Sequence, residues 1–159
     1  MNILFLTRLY WPHVGGVEKH VEKISEILKK KHEITIVCEK HDPKLSDFES
    51  RQGISIYRIP SSDKWVIWKW WLGHLQLIKQ ADIIHIHDVF FWFLPFRLPY
   101  WTKKVYITFH GWEGVCPIPF KNILWRKLAE KLTRGNICVG DFISKWYGTK
   151  PDFVTYGAA

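Results

Sequence analysis

The positions of this sequence that could do chemistry are Gly15-Gly16, His85, His87, Asp88 and His110-Gly111. Two glycines just ahead of a helical pattern let backbone amides approach an anion, and a helix N-terminus favours negative charge. A diphosphate is such an anion. The same pair also suits a tight strand-to-helix turn. It lacks the GxGxxG spacing of a dinucleotide fingerprint, which disfavours dinucleotide binding. His110 follows an apolar run and precedes Gly111. There an imidazole can hydrogen-bond a sugar or phosphate, move a proton, or be satisfied by backbone. His85 and His87 stand at i, i+2 and share one face of a strand. No third ligand accompanies them in sequence, so they read as a hydrogen-bonded lining and no metal is expected. Asp88 closes that strand and suits either an acceptor hydroxyl or the cap of the next segment.

The elements that must position these groups alternate along the chain. Apolar runs at 2–7, 33–38, 54–59, 82–87, 105–109, 136–139 and 153–156 read as strands. Helical patterns start at Gly15-Gly16 and at residues 64–80, 120–133 and 141–147. In the first, Val17, Val21, Ile24 and Leu28 recur at helical spacing. Residues 39–51 read as a loop, and residues 89–101, cut by Pro95 and Pro99, as a broken helix or aromatic loop. Strands that are continuous apolar runs are buried on both faces. The expected fold is therefore α/β: a doubly wound parallel sheet, Rossmann-like, in three layers. Ligands of such a sheet bind at the carboxyl ends of the strands, where every candidate above falls.

A chain of 159 residues fits one domain of 1–159. Its three cysteines are far apart with no CxxC pair, as in a reduced cytoplasmic protein. There is no signal-peptide pattern, and no apolar stretch is long enough to span a bilayer. The formal net charge is +8 and there are ten Trp. The basic residues are scattered and not clustered on one expected helix, so no nucleic-acid partner is expected. In KWVIWKWWLGHLQLIK, Trp65, Trp68, Leu72 and Leu75 lie on one stripe, the natural core face. Trp71 lies at its edge, and Trp70 falls nearly opposite. FFWFLPFRLPYWTKK adds Trp92 and Trp101. Trp among Lys suits a membrane interface. Trp65, Trp68, Trp70, Trp71, Trp92 and Trp101 are accordingly read as membrane or interface residues. A protein interface is the competing use.

Several blocks resemble one family. NILFLTRLYWPHVGGVEKHVEKISEILKKKHEITIVC is similar to the opening of the retaining glycosyltransferases of family 4, group 1, with the GT-B fold. ADIIHIHD resembles that family's strand ending in His-x-His, VYITFHG its T-x-H-G/D strand end, and NICVGDFISKWYG its V-S-x-x-x-x-K segment. VTYGAA resembles the stretch closing the N-terminal domain. Family members usually carry Ser where this chain has Gly140. The resemblance implies the N-terminal, acceptor-side domain of a two-domain enzyme. It puts Gly15 and Gly16 on the donor diphosphate and His110 at the reacting sugar. Glu18, His87, Asp88 and Gly111 are assigned to the acceptor. No metal and no cofactor are implied; the donor substrate is a nucleotide-sugar.

The C-terminal nucleotide-binding domain, with its Glu-x7-Glu motif, is expected to be absent from these residues and to come from the same or a separate chain. The expected function is transfer of a hexosyl unit from a nucleotide-sugar, with retention, to an acceptor that is lipid-linked or at the membrane surface. The isolated domain is expected to be inactive. Localisation reads as cytoplasmic, with peripheral contact to the inner face of the membrane. The alternative is a non-catalytic membrane- or protein-binding module that needs a partner for chemistry.

Overall fold

A computed structural model describes residues 1–111, 114 and 116–156. In chain order the elements are β1 (Asn2–Thr7), α1 (Gly16–Leu28), β2 (Glu33–Glu39), β3 (Phe48–Arg51), β4 (Ile54–Ile59), α2 (Lys64–Gly73) and α3 (Leu75–Gln80). There follow β5 (Ile83–His87), α4 (Phe90–Arg97), β6 (Lys104–Phe109), α5 (Phe120–Leu132), β7 (Gly135–Val139), α6 (Asp141–Tyr147) and β8 (Phe153–Thr155). The strands form one sheet in the order β3-β4-β2-β1-β5-β6-β7-β8. β1 lies between β2 and β5, parallel to both, so the chain winds outward in opposite directions from it. The crevice at the carboxyl ends of β1 and β5 is the switch point of the sheet.

Alternation along β1 explains the layers. Ile3 and Phe5 face α1, whose Val17, Val21, Ile24 and Leu28 cover them. Leu4 and Leu6 face the other way, into a larger core built with α2 to α6. The helix and strand patterns read from the sequence thus pack as a three-layer α/β sandwich.

Three expectations need correction. Residues 39–51 are not all loop: β3 pairs antiparallel with β4, so the sheet is mixed. Its turn is Gln52-Gly53, with φ of 50° and 81°. Two positive φ values are what a tight hairpin requires. Residues 64–80 are two helices, because the backbone leaves helical geometry at His74 (φ −126°, ψ 27°). The third correction concerns the tryptophans. Trp71 is fully buried and Trp92 is 1% exposed, so both are core residues and not interface residues. The buried face of α2 is Ile67 and Trp71, while Trp65 and Leu72, expected inside, point outward. Because α2 is apolar nearly all round, periodicity could not say which side faces the sheet.

The remaining tryptophans divide. Trp68 is partly buried, its indole N–H donating to the Phe91 carbonyl at 3.0 Å. Trp70 is partly buried, its ring stacked 3.8 Å from that of His74. Trp65 and Trp101 are exposed. Among the described residues no helix is long and apolar enough to cross a membrane. The closing residues of the VTYGAA block, 157–159, lie outside the described residues.

Candidate active site

Parallel pairing aligns the ends of three central strands. His87 ends β5 opposite Thr7 of β1 and Thr108 of β6. His110 follows β6 directly. Period-2 alternation turns His85 and His87 to the same side as Phe5, the side covered by α1. α1 contributes His20, one turn beyond Gly16 and so on the same helix face. The result is a histidine cluster that only tertiary structure assembles. His87 Nδ1 lies 2.8 Å from His110 Nε2. The His20 ring centroid is 4.8 Å from that of His110 and 6.0 Å from that of His87. His85 stacks against His87 at 4.5 Å and pairs its own Nε2 with the Thr108 hydroxyl at 2.8 Å. Phe5 forms the apolar floor, 5.5 and 5.6 Å from the rings of His85 and His87.

Burial keeps these imidazoles uncharged. Desolvation lowers His85 to about 4 and His110 to about 3, and the neighbouring histidines push in the same direction. His87 is held well below its ordinary value, chiefly by burial, and His20 is also lowered by burial. At neutral pH the cluster is therefore a set of neutral hydrogen-bonding groups. One member of the His87–His110 pair donates and the other accepts. Either arrangement leaves the buried His87 Nε2 without a partner among the described residues. A neutral His110 is suited to hold a hydroxyl by hydrogen bonding and poorly suited to act as a cationic acid.

The ligand atoms of His20, His87 and His110 lie within 4.8 Å of one another, so these three residues could hold a metal ion. The pair considered from sequence was His85 and His87. The actual trio excludes His85, which is turned to Thr108, and takes its third nitrogen from α1.

The Gly15-Gly16 start of α1 stands at the same edge. Gly15 is extended (φ −150°, ψ −178°), a conformation open to any residue. A Cβ at Gly16 would meet nothing within 4 Å. One at Gly15 would collide with the end of the Glu18 side chain, which is held against His13. At Gly16, packing inside the chain does not demand glycine. The space above Gly16 is open to a ligand. Glu18 itself lies over Gly15, with its carboxylate 3.2 Å from His13 Nδ1, so the helix N-terminus is faced by the chain's own anion. Beside it, Tyr10, Trp11, His13, Val14, Glu18, Lys19 and Glu22 line a small pocket of about 110 Å³.

Asp88 has φ 61°, in the left-handed region that non-glycine residues rarely occupy. Its carboxylate accepts the backbone N–H of His110, both oxygens at 3.2 Å. Asp88 therefore holds the β6 end in place besides lying exposed at the site. The carbonyl of Gly111 accepts from Arg126 Nη2. The Arg126 guanidinium also stacks 3.8 Å over Tyr147.

Sequence reasoning missed Arg126 and His20. The available signals were an arginine on the inward stripe of α5 and a histidine four residues after Gly16. Gly140, where the family usually has Ser, has φ 95°, and a Cβ there would press on the Phe142 ring at 3.0 Å. Glycine fits this turn, and serine would be strained in it.

A doubly wound sheet with a polar cluster at its switch point defines a Rossmann-like α/β domain. The chain belongs to Glycosyltransferase Family 4, whose profile matches residues 14–149. Among solved structures it resembles sucrose-phosphate synthase from Thermosynechococcus elongatus, with a TM-score of 0.74 and 11% identity, over 96% of this chain and 47% of that one. A second structure of that synthase matches with a TM-score of 0.67 and 11% identity, over 100% of this chain and 90% of that one. An E. coli structure described as trehalose-6-phosphate bound with UDP-2-fluoro glucose matches with a TM-score of 0.55 and 12% identity, over 92% and 42%. The chain thus spans about half the length of the first of these. No curated protein matches the chain.

Proposed function

We propose that this chain is the acceptor-side half of a transferase that moves a hexosyl unit from a nucleotide-sugar to an acceptor, with retention. A second GT-B domain, in the same or a separate chain, completes the cleft and grips the nucleotide. The observation that carries this reading is the meeting, at one sheet edge, of the neutral His87–His110 pair with the Gly15-Gly16 start of α1, which is open above Gly16. The helix N-terminus stabilises the diphosphate charge that develops as the glycosidic bond breaks. His110, held by Asp88 and His87, hydrogen-bonds the donor sugar. Gly111, Asp88 and His87 line the acceptor side. Glu18 must swing off Gly15 to admit the diphosphate, and it then faces the acceptor.

The acceptor is read as lipid-linked or presented at the inner face of a membrane. Exposed Trp65 and Trp101 support peripheral contact. The same two residues favour the second reading, a docking module that leaves chemistry to its partner.

The test joins the chain to a family 4 C-terminal domain and follows release of nucleoside diphosphate from UDP- and GDP-hexoses. Transfer is expected only in the joined protein. His110→Ala is expected to lower kcat about 100-fold, and chelation of divalent ions is expected to leave the rate unchanged. Transfer that is indifferent to His110→Ala would sink the assignment. Loss of transfer on chelation would reassign His20, His87 and His110 as a metal centre.

A further inference from the structure

Charge is unevenly placed on this chain. Residues 64–147 carry twelve Lys and Arg against five Asp and Glu, so nearly all of the net +8 lies there. These residues build strands β5 to β7 and helices α2 to α6. The inner sides of the helices share one core on one face of the sheet, while α1 covers the other face.

Within that layer α5 is unusual. Arg126 and Ala129 turn inward. Outward stand Phe120, Leu124 and Trp125, at 76%, 57% and 47% exposure. Phe120 and Leu124 are one turn apart, with Trp125 beside them. Exposed Lys121 stands between Leu124 and Trp125, and exposed Lys127 and Lys131 follow on the same side of the helix. A second apolar pair stands at the far end of α5, beyond Lys127 and Lys131. Arg97 Nε at the end of α4 donates to the Leu132 carbonyl at 2.6 Å. This brings Leu98 and Trp101, both more than 70% exposed, next to the end of α5.

An apolar stripe rimmed by lysine, with Trp at its margin, is what an interfacial helix presents to a bilayer. Charge complementarity selects the occupant: a surface both apolar and strongly cationic matches acyl chains beneath anionic headgroups. We propose that the outer face of α5, together with the end of α4, docks on anionic phospholipid bilayers. This rests on the membrane-surface reading above and names its surface and its lipid class. α5 also supplies Arg126 to the Gly111 carbonyl, so the docking helix is bonded directly to the segment that carries His110.

The experiment is co-sedimentation of the 159-residue chain with phosphatidylglycerol–phosphatidylcholine vesicles and with pure phosphatidylcholine vesicles. Binding is expected to the first only and to weaken as salt is raised. The variant carrying Phe120→Ser, Leu124→Ser and Trp125→Ser alters exposed positions and should keep the wild-type circular dichroism and Tm. Its partitioning is expected to fall at least about tenfold. Wild-type binding that survives these substitutions overturns the α5 face but leaves a membrane-surface protein. Absence of wild-type binding overturns both. DNA binding, or lipid-free self-association, that the same substitutions abolish while vesicle binding is absent also overturns the proposal. None of these outcomes bears on sugar transfer, which the joined protein measures separately.

Discussion

Acidification from pH 7 to pH 5 is expected to remove several kcal/mol of stability from this domain. The cause is the histidine cluster. His85, His87 and His110 titrate far below 6.5 in the folded chain because burial penalises their charged forms. In the unfolded chain they titrate near 6.5. Above that pH neither state binds protons at these sites, and their contribution to stability is fully present. As pH falls below 6.5 the unfolded chain takes up protons that the folded chain refuses, so stability declines. The decline continues toward the folded values, about 4 for His85 and about 3 for His110. Between pH 6.5 and pH 5 each fully depressed histidine withdraws about 2 kcal/mol. His87, held low chiefly by burial, adds to the decline in the same direction. Urea denaturation at a series of pH values checks this. Equal midpoints at pH 7 and pH 5 would show that the cluster is not desolvated as described. His87→Asn should flatten the slope, because it removes the most buried titrating ring.

Arg58→Met is expected to destabilise the fold by about 3 kcal/mol and to release the loop that precedes α1. Arg58 is fully buried on β4, and three segments depend on it. Its Nη2 donates to Glu49 on β3 at 2.7 Å and to the Trp11 carbonyl at 3.1 Å, and its Nη1 donates to the Ser46 carbonyl at 3.1 Å. Methionine fills most of the volume but leaves two carbonyls and a carboxylate without their donor. Glu49 is one-third exposed, so water can rescue part of its charge, which keeps the loss at the lower end for a broken buried pair. For a chain of this length that is a fall in Tm of roughly 10 °C. Hydrogen exchange should quicken across residues 8–14, next to the Gly15-Gly16 start of α1. Glu49→Gln keeps an acceptor for Arg58 and should cost less. Unchanged exchange in Arg58→Met would mean that the loop is held by other contacts.

Much of the site was present in the sequence as separate pieces. Glycines before a helix, histidines at strand ends and an acidic residue after β5 could all be placed from local pattern, because parallel sheets collect ligand groups at one edge. Which of those pieces touch was not readable. His85 and His87 are neighbours on one strand, yet His87 pairs with His110 and meets His20, while His85 goes to Thr108. Those partners are more than twenty residues apart along the chain. Arg58 and Arg126 were missed because an arginine inside a strand or helix reads as surface until its partners are seen.

By itself the sequence determined the alternation of strands and helices, the buried centre of the sheet and the family. The first two follow from local propensity and hydrophobic period, which need no knowledge of the partner element; the family follows from the resemblance of the motif blocks at the strand ends. Tertiary structure alone decided the facing of the aromatic helices. α2 is apolar on nearly every side, so its contact with β-strands and α4 chose Ile67 and Trp71 for the core and left Trp65 to solvent. It alone also decided the state of the histidines, because desolvation depends on how much protein surrounds a ring and not on the ring's place in the chain.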